Sequence, residues 1–387
     1  MGDAVRRCAV YWIWLSQLNL SPKARHAVVS QFGTAEAAFF SPKGSFETVP
    51  GLTAREAEEL EERDLSGADA VWKACQKQKL RILPVTDPDY PEQLHQIDCP
   101  PAVLYVRGTL PEENRYPIIS VIGTRNASPY GVRMAQQLSW QLARGGADVI
   151  CLCNAQLDGA VARGASGSGR SCIGILGTPH ECFRGCLPDE TVLVSEYPPG
   201  MTARRHFFRE RNRIAAGLSS GVVVVEAPEN SGTRLFVREA VEQGKDIFAV
   251  PGNADAENSA GTLILLKEGA KLVTCGEDVL EEYLLRFPSL RSYEPPNLEQ
   301  EPEEKEKTAP DSQNSEIPES VDRQKLPAGL TEDQQRILTV MGDQPVYVDD
   351  IADQTGLSTA RVLAQLTVLE IKGCVRREAG RRFARIK

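Results

Sequence analysis

Six short runs of Val, Ile and Leu dominate the middle of this chain: PIISVIG (117–123), ADVICLC (147–153), SCIGILG (171–177), TVLVSE (191–196), GVVVVEA (221–227) and DIFAVPG (246–252). Several of them are rich in Val and Ile with no polar alternation, so a strand built from them must be covered on both faces. Helical stretches separate the runs. That pattern predicts an α/β domain over 117–290, a doubly wound, mostly parallel sheet of the extended Rossmann-like type. Ligands of such sheets gather outside the carboxyl ends of the strands, where Gly123, Cys153, Gly177, Glu196, Glu226 and Gly252 fall.

A chain of 387 residues is too long for one ordinary core, and the segments around the sheet read differently. Residues 1–70 look like a small all-helical module, with glycine turns at Phe32-Gly33 and VPGLT (49–53) and Thr53 as an N-cap. Such turns occur in helix-hairpin-helix modules that touch DNA and in helical modules that do not. A proline-rich connector of turns and short strands is expected over 71–116. Residues 291–328 read as a disordered acidic linker, since 294–320 holds nine acids against two lysines. From 329 to 387 the pattern is three helices, capped at Thr331 and Ser358, and a basic hairpin turning at Ala379-Gly380. That combination predicts a winged helix.

Formal net charge is −9, from 44 Lys+Arg and 53 Asp+Glu, which argues against a protein that coats nucleic acid non-specifically. Local clustering of positive charge decides such binding. The apolar run YWIWL near the start is too short to span a bilayer and lacks a signal-peptide pattern, so a cytoplasmic protein with reduced thiols is expected.

Positive charge clusters in RRHFFRERNR (204–213), with five arginines, one histidine, two vicinal phenylalanines and Glu210 as the one acid. Arginine holds phosphate through a rigid fork of donors, and aromatic rings stack on unpaired bases. A helix starting near Phe208 would set Arg209, Asn212 and Arg213 on one face. In VIGTRNASPYG (121–131), Gly123 allows close backbone approach, Thr124 and Arg125 follow the strand, and Ser128 caps a helix whose N-terminus could meet a phosphate. Ser231, Gly232 and Thr233, then Gly252 and Asn253, supply further loop donors, with Lys267 on the helix behind. The chain has neither GxGxxG nor a Walker-type loop, so a nucleoside triphosphatase is not expected. Cys151, Cys153, Cys172, Cys182 and Cys186 match no zinc spacing, and neither metal nor cofactor is expected.

Together these pieces resemble the DprA/Smf family of bacterial DNA-processing proteins. Its VxGxRxxSxYG motif is matched by 121–131, FPxRNRIIAGLS by 208–219, and SGT with GxxxFAVPGN by 231–253; a counterpart of SxGxNxLIxxGA spans 259–270. The resemblance implies a non-enzymatic protein that binds single-stranded DNA on its Rossmann-like domain, dimerises through that domain and loads RecA in natural transformation. It maps phosphate contacts to Arg125 and to Arg211, Asn212 and Arg213; the basic run itself offers Phe207 or Phe208 as a stacking surface. The chain departs from the family at CLCNAQLDGAV (151–161), where SGxARGID is expected and only Asp158 and a few apolar positions survive, in a shortened loop TPHECFRGC (178–186), and at Arg209, where the family has proline. Two rival readings compete. One is a Rossmann-type nucleotide or nucleoside hydrolase with Asp158, Glu196 or Glu226 as base. The other is a winged-helix regulator of duplex DNA, using the seven basic residues of 372–387.

Overall fold

The computed structural model describes residues 2–292, apart from 113, 114, 154, 155, 169 and 171, and a subset of positions between 333 and 385. The chain divides into two compact units, Met1–Lys305 and Glu306–Lys387. The acidic stretch 294–320 lies outside the described residues.

The first unit begins with five helices: α1 (Gly2–Gln17), α2 (Pro22–Phe32), α3 (Ala35–Phe39), α4 (Ala54–Glu61) and α5 (Ala68–Gln78). Gly33, at φ 75°, closes α2 in a conformation that glycine adopts without a Cβ penalty. Thr53 caps α4 in a reciprocal capping box with Glu56. Glu56 also accepts from the backbone N–H and hydroxyl of Ser21, the N-cap of α2, at 3.1 and 2.8 Å. One carboxylate thus ties two helix starts together. Burial pushes its pKa up, but the donors from Thr53 and Ser21 outweigh burial and hold it at about 2. The folded value lies below the ordinary 4.5, so Glu56 stabilises the fold above pH 4.5 and that contribution fades as pH falls toward 2. Glu56→Gln should therefore melt below the wild type at pH 7, with the gap closing over that acid range; a gap independent of pH would exclude this linkage.

The sheet has nine strands: β1 (Arg81–Pro84), β2 (Val103–Arg107), β3 (Ile118–Ile122), β4 (Asp148–Cys151), β5 (Cys172–Leu176), β6 (Val192–Ser195), β7 (Gly221–Val224), β8 (Asp246–Ala249) and β9 (Lys271–Leu272). Their spatial order is β1-β2-β6-β5-β4-β3-β7-β8-β9. The six runs picked out by composition are β3 to β8, all mutually parallel. The connector contributes more than turns and isolated short strands. Its β2 pairs antiparallel with β6 and with β1, extending the sheet by two strands.

Helices cover both faces, which explains the lack of alternation. Val222 and Val223 of β7 are consecutive, both fully buried, and belong to opposite apolar layers. One layer packs α9 (Phe207–Leu218), α10 (Gly232–Glu242), α11 (Ala260–Lys267) and the short α6 (Glu92–His95) against the sheet. The other packs α7 (Pro129–Arg144), α8 (Gln156–Gly167) and α12 (Glu277–Leu280). The helical module keeps its own core around Trp12, Trp14 and Phe46, closed by Val103 and Tyr105 of β2. Strand order reverses between β3 and β7, so the topological switch point lies beyond Ile122 and Val224. Among the described residues no helix is long and apolar enough to cross a membrane.

The second unit contains β10 (Val346–Tyr347), β11 (Val375–Glu378) and β12 (Arg382–Arg385) in the order β10-β12-β11. β11 and β12 form the expected basic hairpin, whose turn at 379–381 lies outside the described residues. Ile337, Leu338, Ile351, Val362, Leu366 and Leu369, all in helical conformation, join Met341, Val375 and Phe383 in one core.

Candidate nucleic-acid interface

The carboxyl ends of β3, β4 and β5 open into two adjoining clefts of about 860 and 440 Å³ that share Arg125, Asp158, Arg205 and Phe208. Arg163 and Arg184 line the larger, Arg209 the smaller. Arg125, Arg163, Arg205 and Arg209 are exposed and form no ion pair among the described residues, and Asp158 is the one acid on these walls. The side chain of Asp158 is itself engaged, accepting from Leu152 N at 2.8 Å. An anion entering here meets several guanidiniums and little opposing charge.

Phe208 is half-buried on the wall shared by both clefts, packed over Gly177, where any Cβ would stand 2.8 Å from its ring. Phe207 is buried and stacked on Tyr197, with ring centroids 3.7 Å apart. Of the two phenylalanines expected as a stacking surface, only Phe208 reaches the cleft; Phe207 is consumed by the core.

The RNR motif also turns inward. α9 starts at Phe207, and every residue from Arg211 to Leu218 is buried, so Arg211 and Arg213 are both enclosed although they point to nearly opposite sides of the helix. Arg211 is 1% exposed and donates to the carbonyls of Leu152 and Ile175, capping the ends of β4 and β5. Burial lowers its pKa, an effect opposed by the nearby charge of Asp158. Arg213 Nη2 donates to both carboxylate oxygens of Glu196, at 2.7 and 2.8 Å. Burial works against the Arg213 cation, but Glu196 more than compensates and raises its pKa. Arg25 of α2 approaches the same carboxylate at 3.6 Å, so the triad joins the helical module to α9. The expectation that Arg211 and Arg213 hold outside phosphates is corrected by this geometry, since helix period alone did not say that α9 is enclosed on all sides from Arg211 onward. Asn212 lines the smaller cleft but is 9% exposed.

The helix start after β3 is likewise occupied from within. Ser128 caps α7 through Gly131 N, while Glu226 accepts from Ser128 N at 2.8 Å and from Ser128 Oγ. Asn258 Nδ2 reaches the same carboxylate at 3.3 Å. Gly131 leaves the room this needs, because a Cβ there would lie 2.3 Å from Glu226 Oε2. A side-chain carboxylate therefore sits where a phosphate was expected. Gly123 allows the loops after β3 and β7 to close on each other, with Thr124 N bonded to Glu226 O at 2.8 Å.

At α10 the N-terminus remains open. Ser231 makes no capping hydrogen bond, Gly232 is exposed with nothing near its Cα face, and both line the smaller cleft with Thr233. Gly252 and Asn253 line a separate hollow of about 670 Å³ with Glu226 and Glu257, away from the arginines. Lys267 ends α11, which leaves the carboxyl end of β8 and returns to the start of the parallel β9. Lys267 therefore lies toward the opposite edge of the sheet from the clefts. It lines neither cleft.

Arg163, Arg184 and Arg205 complete the cleft. Arg205 stood in the basic run, and Arg184 in the shortened loop. Arg163 had only one signal, its four-residue spacing from Gly159, which places both on one face of α8. The three rival carboxylates Asp158, Glu196 and Glu226 all accept internal hydrogen bonds.

A family model described as DNA recombination-mediator protein A matches residues 81–284, and one described as DprA winged helix domain matches 321–381. The DNA processing protein DprA of Bacillus subtilis is 32% identical over 224 residues, 55% of this chain and 74% of the relative. Protein Smf of Synechocystis is 28% identical over 97% of this chain and 98% of its own length. The crystal structure of DprA from Streptococcus pneumoniae superposes with a TM-score of 0.60 at 28% identity, covering 70% of this chain and 95% of that one. With its sheet domain matched over more than half of its length and a winged helix behind it, the chain belongs to the DNA recombination-mediator protein A (DprA/Smf) family.

Proposed function

We propose that this protein is a non-enzymatic, cytoplasmic single-stranded DNA-binding protein that protects incoming strands and loads RecA on them during natural transformation. The observation that carries the binding reading is the paired cleft at the strand ends, where exposed Arg125, Arg163, Arg205 and Arg209 surround Phe208. Guanidiniums track a phosphate backbone, and a ring among them accepts an unpaired base of any identity. The open start of α10 at Ser231–Thr233 adds backbone donors to the same wall. RecA loading and the setting in transformation rest on the family resemblance. A hydrolase is disfavoured because Asp158, Glu196 and Glu226 are already committed to internal donors.

Pairing through the sheet domain has a physical basis at its β9 edge. Leu235, Val241 and Leu272 are each about half exposed, and the first two border a hollow of about 770 Å³ between α10 and α11 whose lining mixes apolar and charged side chains.

Fluorescence anisotropy with labelled poly-dT and a matching duplex, at two salt concentrations, tests the proposal, and light scattering of the same sample reads its dimer. Salt-sensitive preference for the single strand is expected. Preference for duplex would transfer the activity to the winged helix; binding to neither would remove the reading.

A further inference from the structure

The floor of the larger cleft holds a thiol cluster that the DNA-binding reading leaves unused. Cys151 ends β4, fully buried, and its Sγ lies 3.8 Å from Sγ of Cys153, two residues on. Cys172, at the start of the neighbouring β5, also acts on this sulfur. Cys153 is partly exposed and lines the cleft, with its backbone at φ 54°. Its sulfur occupies the space above Gly174, where a Cβ would stand 2.5 Å away, so the strand is relieved at that point to receive it. None of the three is in a disulfide, and among the described residues no metal-binding group of His, Cys, Asp or Glu forms around them. One of the two cysteines thus borders the cleft and the other is buried behind it at contact distance.

We propose that Cys151 and Cys153 form a peroxide-oxidisable dithiol whose closure to a disulfide deforms the floor of the arginine-lined cleft and weakens its hold on single-stranded DNA. The effect on DNA rests on the binding function proposed above. The Cys153 sulfur attacks hydrogen peroxide, its S–O bond forming as the O–O bond breaks, and the departing hydroxide takes the Cys153 thiol proton, giving Cys153 sulfenic acid and one water. Cys151 sulfur then attacks the sulfenic sulfur; the S–S bond forms as the S–O bond breaks, and hydroxide leaves as a second water with the remaining thiol proton. Two thiols lose two electrons, and one peroxide gains them. The Cys153 contact, neighbouring Cys172 and the nearby Arg211 charge favour the thiolate at Cys151, as a resolving nucleophile needs.

The link to the cleft is Leu152, the residue between the two cysteines. Its carbonyl receives Arg211 of α9 and its N–H is held by Asp158 of α8. A disulfide needs about 2 Å between sulfurs, so closing the present gap must draw Cys153 toward Cys151 and turn the Leu152 peptide between them. That movement disturbs the anchor of α9, the helix that carries Phe208 and Arg209.

The test uses the full chain, treated with stoichiometric hydrogen peroxide and compared with its dithiothreitol-reduced form. The peptide carrying both residues should become two hydrogens lighter and resist alkylation until reduced. Amide hydrogen exchange across Phe207–Leu218 should quicken, and affinity for labelled poly-dT should fall about tenfold, the worth of one or two charged hydrogen bonds. Cys151→Ala should bind DNA when reduced and keep both exchange and affinity after peroxide; Cys172→Ala should still form the disulfide. A disulfide that forms elsewhere, or one at this pair that leaves α9 exchange unchanged, would overturn the proposal. If the reduced protein does not hold poly-dT, the DNA-binding function falls, while the mass and exchange measurements still decide the dithiol.

Discussion

Glu196→Met should destabilise the first unit by about 3–5 kcal/mol, the cost of leaving a buried charge without its partner. Glu196 is 3% exposed, and the Arg213 guanidinium that donates to it is 9% exposed, so water does not replace the lost carboxylate. Arg25, 3.6 Å from the same oxygen, loses its counter-charge too, although it keeps the carbonyls of Leu15, Leu18 and Leu20. Denaturant unfolding followed by tryptophan fluorescence isolates this unit, because all four tryptophans (Trp12, Trp14, Trp72 and Trp140) lie within it. Arg213→Met should cost a comparable amount for the mirror reason. The double variant should cost clearly less than the two singles added, since neither charge is then stranded. Additivity within about 0.5 kcal/mol would mean that the pair is not coupled, and the assignment of Arg213 to the interior would fail.

The second large effect concerns the cleft. Arg125→Ala with Arg205→Ala should lower single-strand affinity and flatten the log–log salt dependence by about 0.7 per lost phosphate contact on a single strand. Both residues are exposed and line both clefts, so folding stability should hold. Phe208→Ala should remove about 1–3 kcal/mol of stacking per base while leaving the salt slope intact, which separates ring from charge. Phe207→Ala is the control, because it should reduce stability through its stack on Tyr197. An unchanged salt slope in the double arginine variant would move the site elsewhere on the protein.

The same basic run therefore divides into two physical roles. Arg205, Phe208 and Arg209 line the clefts, whereas Phe207, Arg211 and Arg213 hold α9 to the sheet. A helical repeat of 3.6 residues identifies which residues share a face, but not where along its length a helix is enclosed on every side, as α9 is from Arg211 onward. Glu226 gives a parallel case. As a residue at a strand end it could equally have been a base or a spectator; its position at the start of α7 makes it an internal substitute for an anion.

What the sequence by itself determined is the central sheet and its flanking units. Consecutive buried apolar residues leave a strand no alternative to cover on both faces, and Thr53 and Gly33 announce their helix ends through local hydrogen bonding and φ. Those signals act between neighbours in the chain, so they are legible there. Membership of β1 and β2 in the sheet, the inward turn of Arg211 and Arg213, and the departure of Lys267 and Gly252 from the cleft depend on strand order and crossover direction. Contacts such as Arg25 with Glu196, or Arg211 with Leu152, join residues far apart in the chain. No local propensity encodes them; they arise only when the layers pack and each buried charge must find a partner.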